Sequence, residues 1–319
     1  MKKLTAIVLS LLLVLALCSA SLADSIQIGI VQMADNSAFT DMREGFLARM
    51  AELGYGEDAV TYDYRNAQGQ ADVLASICDT MIDNGMDLVV TIATPPTQAM
   101  VNKESGTPVF FISVSNPVGA GILTDMATPD RNATGTSNAI PISANFELCE
   151  QLTPGCKTFG VIYCTSEVNS VTTAGQAKEY LEANGYTYIE RTVTTSSDVQ
   201  QATEYLIEAG VDAIFVPNDS VVQTAMATLA ELTRNAGIPV YGSSAVMPKD
   251  GAFATISIKD SDIGAATADM VDRYLKGTPI EEIPSVVVDT FTTYINTTTA
   301  EMIGVELSDE VLASAVLYE

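Results

Sequence analysis

Gly29-Ile30-Val31 opens a segment that closes at Gly54-Tyr55, and Gly160-Val161-Ile162 opens one that closes at Gly185-Tyr186. Both anchors are displaced by 131 residues. The next units repeat as well. Asn84-Gly85-Met86-Asp87 runs into Leu88-Val89-Val90 and reaches Thr94, as Ala209-Gly210-Val211-Asp212 runs into Ala213-Ile214-Phe215-Val216 and reaches Asp219. Thr107-Pro108-Val109 then answers Ile238-Pro239-Val240. Two similar lobes follow from this duplication, with a cleft between them of the kind in which small molecules bind.

Working outward from the anchors, strand and helix patterns alternate. Ile26 to Val31, Val60 to Tyr64, Leu88 to Ile92 and Val109 to Ile112 read as strands; Phe39 to Leu53 and Asp72 to Ile82 read as helices stopped by Gly54 and by Asn84-Gly85. The second lobe repeats the order. Its strands are Phe159 to Tyr163, Tyr186 to Thr192, Ala213 to Val216 and Pro239 to Tyr241. Its helices are Val171 to Ala183, Asp198 to Glu208 and Val221 to Ala236. Such βαβ units give an α/β fold of two similar doubly wound parallel-sheet lobes. The tail, read as a strand over Phe253 to Ile258, a helix over Ile263 to Leu275 and one extended run over Val286 to Tyr294, has no lobe of its own and is expected to cross back and forth, making a multi-strand hinge. The expected division is 24–138 with about 256–288 for lobe 1, and 139–255 with about 289–319 for lobe 2.

Composition removes several function classes. The chain has no histidine, which excludes Ser-His-Asp and Cys-His catalysis and most transition-metal sites. Its net charge of −25 argues against nucleic acid and anionic membrane surfaces as partners. Met1-Lys2-Lys3, the apolar run Ile7 to Leu17 and the small residues Ser21 and Ala23 form a signal peptide over 1–23, with cleavage before Asp24. Leu15-Ala16-Leu17-Cys18 offers a competing lipidation site at Cys18, although Leu17 stands where a small residue is usual. The mature chain is therefore expected in the periplasm or outside the cell, free or tethered by lipid. Cys149 and Cys156 flank the Thr153-Pro154-Gly155 turn and are the candidates for a disulfide in an oxidising compartment; buried free thiols are the alternative.

In open parallel sheets, ligands bind beyond the carboxyl ends of the strands. The loops there carry small hydroxyls and amides, among them Gln32, Thr94, Thr97, Ser115, Asn116, Ser166, Asn169, Ser170 and Ser244. Several precede a helix, where hydroxyls and free N–H groups suit a carboxylate, or simply cap the helix. Asp219 is the acid placed directly after a strong buried strand. It is a candidate partner for an ammonium group, or a helix cap for Val221 onward. Donors on one side of a cleft and a carboxylate on the other fit a zwitterion, hence an amino acid.

The chain also resembles the type-I solute-binding proteins of ABC uptake systems, in the branch associated with tryptophan and other aromatic amino acids. The resemblance spans the mature chain. It is carried by Arg43-Glu44-Gly45-Phe46, Asn66-Ala67-Gln68-Gly69, Ile92-Ala93-Thr94-Pro95, Asn116-Pro117-Val118-Gly119-Ala120-Gly121 and Asn132-Ala133-Thr134-Gly135, then by Ser166-Glu167-Val168-Asn169-Ser170 and Val216-Pro217-Asn218-Asp219. It implies a cleft ligand touched by Gln32, Thr94, Ser115, Asn169, Ser170 and Asp219, ABC permease subunits as partners, a monomer, and no cofactor or metal. The chain departs from the family where Asn116, Asn36-Ser37 and Ser244 stand, and those departures bear on aromatic specificity. Phe39 and Tyr163 are candidates to stack on an aromatic side chain, or to be core.

Other readings of the same fold are a sugar or nucleoside carrier and a sensor that passes its signal to a receptor. A two-lobed racemase would need one cysteine per lobe at equivalent positions. Cys164 is answered at that offset by Met33, so no enzyme is expected.

Overall fold

A computed structural model describes residues 25–319. The expected signal peptide and Cys18 lie outside the described residues. Among those described, no helix is long and apolar enough to cross a membrane.

The elements of the first lobe run β1 (Ile26–Gln32), α1 (Ser37–Glu52), β2 (Val60–Asn66), α2 (Ala71–Asp83), β3 (Leu88–Ile92), α3 (Thr94–Val101), β4 (Val109–Ile112) and β5 (Ala133–Ser137). The second lobe runs α4 (Ile142–Leu152), β6 (Thr158–Cys164), α5 (Val168–Ala183), β7 (Thr187–Val193), α6 (Val199–Glu208) and β8 (Ala213–Phe215). It continues with α7 (Ser220–Thr224), α8 (Met226–Asn235), β9 (Val240–Tyr241) and β10 (Ala254–Ser257). The remainder is α9 (Asp260–Leu275), β11 (Val286–Val287), β12 (Thr292–Asn296), α10 (Thr297–Ile303), α11 (Asp309–Ser314) and β13 (Val316–Tyr318).

Two sheets result. One has the order β11-β5-β4-β3-β1-β2, the other β13-β12-β10-β9-β8-β6-β7. The orders β2-β1-β3-β4-β5 and β7-β6-β8-β9-β10 are the same path walked twice, which is the duplication seen in the sequence. The pairs are parallel except for β10 with β12. Between the sheets the chain crosses after β5, after β10 and after β11.

The repeated glycines have one packing cause. Gly29 pairs with Val89 in the register of β1 and β3, and Gly160 pairs with Ile214 in that of β6 and β8. A Cβ on Gly29 would lie 2.6 Å from Met81 Sδ of α2, and one on Gly160 would lie 3.1 Å from Leu206 Cδ1 of α6. Each glycine lets the corresponding helix settle onto the central strand. Each sheet is covered on both faces. In lobe 1, Phe46 and Met50 of α1 and Val271 of α9 fill one side, and Cys78 and Met81 of α2 with Met100 of α3 fill the other. Burying a side chain such as Phe46 contributes about 1.5–3 kcal/mol.

Two details differ from the sequence reading, and one alternative it left open is decided. The helix expected over Val221 to Ala236 divides at Ala225 into α7 and α8. The extended run Val286 to Tyr294 is two strands, β11 in one sheet and β12 in the other. Cys149 and Cys156 are free buried thiols, not a disulfide. Their sulfurs lie 3.3 and 3.5 Å from the same Thr153 hydroxyl oxygen, which partners both thiols.

α9 returns from the second lobe to lie on α1 at backbone contact. A Cβ on Gly264 would overlap the Met42 carbonyl oxygen, and one on Gly45 would overlap the Ser261 carbonyl oxygen. Substituting Gly264→Ala must push the two helices apart and is expected to cost about 1–3 kcal/mol, the usual range for overpacking. Gly175→Ala on α5 has open space around it and is expected to be neutral or stabilising by about 0.5–1 kcal/mol. Thermal denaturation of the two variants checks the contrast.

Candidate functional site

The carboxyl ends of both sheets face one another across a narrow cavity with about 20 Å³ of free space. Lobe 1 contributes Ala38, Phe39 and Met42 from α1, Ala93 and Thr94 at the start of α3, and Ser113 and Ser115 after β4. Lobe 2 contributes Glu167 and Asn169 around the start of α5, Asn218 to Ser220 after β8, and Gln223 and Ser244. A wider chamber of about 600 Å³ adjoins it and shares Ser115, Asn138, Asn169 and Asn218.

Local structure places each wall. Asn36 accepts a hydrogen bond from the Phe39 N–H at 2.9 Å, capping α1 and setting Phe39 at the cavity. Ala93 and Ser113 follow β3 and β4 with φ of 73° and 64°, a left-handed backbone that non-glycine residues adopt at a cost of order 1–3 kcal/mol. Both line the cavity. Pro95 and Pro96 carry no N–H, so Thr94 supplies the backbone donor and hydroxyl of the first half-turn of α3.

Lobe 2 supplies the charge. Asp219 caps α7: one oxygen accepts from the Val221 and Val222 N–H groups at 3.0 and 2.9 Å. The other accepts from the Cys164 N–H at 2.6 Å, tying α7 to the end of β6. A carboxylate has about four acceptor positions, and three of these serve the backbone. The cap reading of Asp219 therefore describes its bonds. Glu167 is the acid with more capacity left. It takes the Ser220 N–H at 3.1 Å and the Ser220 hydroxyl, both from the N-terminus of α7. Burial, then the neighbouring Asp219 charge, pushes Glu167 up to about 7. Burial also raises Asp219, against the pull of its backbone bonds. Among the described residues, no lysine or arginine lines either space.

Two uncharged groups complete the cavity. Asn169 donates from Nδ2 to the Asn218 carbonyl at 2.7 Å, which orients its amide and leaves Oδ1 buried without a partner among the described residues. Gln223 leaves Nε2 likewise. An unpaired acceptor and an unpaired donor thus sit in one cavity with two carboxylates.

Of the residues expected at the site, Thr94, Ser115, Asn169, Asp219 and Ser244 line the inner cavity, and Asn116 lines the chamber. Four line neither. Gln32 is buried between the Ala34 carbonyl at 2.6 Å and Arg43 at 3.2 Å. Thr97 bonds Thr91 and the Ala93 carbonyl. Ser170 donates to the Asn218 carbonyl at 2.9 Å, and exposed Ser166 lies 3.0 Å from Cys164 Sγ. Phe39 lines the cavity, whereas Tyr163 donates to Glu190 at 3.0 Å away from it. Sequence reasoning missed Glu167, Asn138 and Gln223. Glu167 stands inside the quoted Ser166 to Ser170 motif, which was its available signal.

The family model of the ABC transporter substrate binding proteins matches residues 27–318. The chain belongs to this family. As such a protein it is a ligand-binding component outside the cytoplasm, with a binding rather than a catalytic role. It is 30% identical over 280 residues to a tyrosine-binding protein of Clostridioides difficile, covering 88% of this chain and 81% of that one. An ABC domain from Streptococcus pneumoniae in complex with L-Trp superposes with a TM-score of 0.88 at 31% identity, covering 92% of this chain and 99% of the other. A ligand-free, open substrate-binding protein with adhesive properties from Clostridium difficile superposes with 0.70 at 28% identity, with the same coverage.

For this substrate-binding protein the raised Glu167 carboxyl has a stability cost with a defined sign. Between about 4.5, its ordinary value, and about 7, the folded state holds a proton that the unfolded state releases. Stability therefore falls as pH rises through that window, by about 3 kcal/mol in all, and levels off above it. Glu167→Gln removes this loss. The variant is expected to melt higher than the parent at pH 8 and to lose that advantage near pH 4.5. Ligand-free melting curves across the window test it.

Proposed function

We propose that this protein captures an amino acid, with an aromatic side chain favoured, between its lobes and delivers it to the permease of an ABC importer. The observation that carries this is the pair Glu167 and Asp219, buried together in the cleft with no basic side chain beside them among the described residues. Two such carboxylates attract an ammonium group, with Glu167 bonding it and Asp219 reinforcing the field. The Thr94 N–H and hydroxyl, with the Ser113 hydroxyl, line the same cavity from lobe 1 and suit the ligand carboxylate. Asn169 Oδ1 and Gln223 Nε2 add an acceptor and a donor for the same zwitterion.

The relatives support the aromatic preference, being named for tyrosine binding and bound to L-Trp. The lobes are disposed more as in the L-Trp complex than as in the open structure, since TM-scores of 0.88 and 0.70 come with similar identities. An arrangement with about 20 Å³ at the charged centre needs the lobes to part before a ligand enters. The mature chain works as a monomer, secreted or held at the membrane through Cys18.

L-Trp and L-Tyr are expected to raise the melting temperature. Stabilisation reaches about 2.7 kcal/mol at a ligand concentration of 100 Kd. The desamino analogues, indole-3-propionate and 3-(4-hydroxyphenyl)propionate, lack the ammonium and are expected not to do so. Equal stabilisation by analogue and amino acid would overturn the carboxylate-pair site. An ammonium prefers ionised Glu167, so affinity is expected to rise with pH up to about 7 and then level off. Below that point binding should release a proton, which calorimetry in buffers of different ionisation enthalpy detects.

A further inference from the structure

The inner cavity has room for little more than one water molecule by the usual volume measure. Even with the lobes parted enough for an ammonium to reach Glu167, a ring does not fit at that centre, and the adjoining chamber of about 600 Å³ is the space for it. That chamber has an aromatic wall. Tyr180 faces it and is stacked on Phe146 at 5.3 Å and 12°, and Ile140, Pro141 and Ile142 continue the apolar surface. A flat side chain packs well there. Set in the same wall is Asn145 of α4, only 4% exposed. Its Oδ1 is buried without a partner among the described residues, where a buried amide is ordinarily paired.

We propose that Asn145 is a specificity-determining residue that pairs with the polar atom of the ligand ring, so that the site selects indole and phenol side chains over phenyl. A half-turn about χ2 exchanges its oxygen and nitrogen, so the amide accepts from an indole N–H or a phenol O–H. A phenyl ring fills the same space and leaves the amide unpaired. The energy of one unpaired buried group corresponds to discrimination of roughly tenfold or more. This rests on the amino-acid reading above and adds the choice among aromatic side chains.

Calorimetry with L-Trp, L-Tyr and L-Phe tests it, on the parent and on Asn145→Leu, which keeps the volume and removes the amide. The parent is expected to bind L-Trp or L-Tyr about tenfold or more tightly than L-Phe. Asn145→Leu is expected to bring the three within about twofold while retaining or improving L-Phe binding. Equal affinities in the parent would overturn this selectivity alone and leave the amino-acid site standing. Equal weakening of all three ligands in the variant would assign Asn145 a structural role instead. Binding of none of the three by the parent would overturn the selectivity together with the aromatic reading beneath it. Equal L-Tyr and L-Phe affinities in the parent overturn the proposal even if the variant does not fold.

Discussion

The contact on which the architecture turns is the backbone approach of α9 to α1 at Gly45 and Gly264. α9 belongs to the part of the chain that has already built most of the second lobe. Its return to lobe 1 therefore closes a long loop, and the helices can meet only where neither carries a Cβ. α1 is also the helix whose first turns wall the cleft through Ala38, Phe39 and Met42. The constraint that joins the lobes thereby also sets the depth of one side of the site. Fixing a helix from behind leaves its cleft-facing residues free to serve a ligand.

The opposite side of the site works through electrostatics. α7 is short, but two carboxylates converge on its N-terminus, Asp219 from its own cap and Glu167 from the start of α5. Backbone N–H groups and the Ser220 hydroxyl stabilise them, and burial with mutual repulsion destabilises them. A folded protein retains such a pair at a cost to its own stability. An ammonium brought in by the ligand relieves that cost, so that binding and folding share one source of free energy. The raised Glu167 carboxyl and the strained Ala93 and Ser113 backbones lie on opposite walls of one cavity. Both are departures from local preference gathered at the site.

Much of the fold was legible because it was written twice. Gly29 and Gly160 recur since the same helix-on-strand packing recurs, and strand ends fall at equivalent places in both lobes. The site was less legible. Loop positions after the strands located the cleft, and Thr94, Ser115, Asn169, Asp219 and Ser244 reach its inner cavity. Sequence cannot tell which hydroxyl turns inward, so Thr97 and Ser170 were expected there, although backbone carbonyls claim them, Ala93 nearby for Thr97 and Asn218 from a distant loop for Ser170. Asp219 drew attention for its place after a strand, while Glu167 drew none. The contact that brings Glu167 to Ser220 joins residues far apart in the chain.

By itself, the sequence determined the two-lobed α/β class and the position of the cleft, because periodicity, repeated glycines and strand-end loops are local properties; the family was legible only through the resemblance of its motifs. The sequence also excluded histidine chemistry through composition alone. Only the tertiary structure decided which acid keeps acceptor capacity, which amides stay unpaired, and that Cys149 and Cys156 share a threonine instead of a covalent bond. Those outcomes depend on distances between segments that no local pattern encodes, and on burial that turns an ordinary carboxyl into one with a value of about 7.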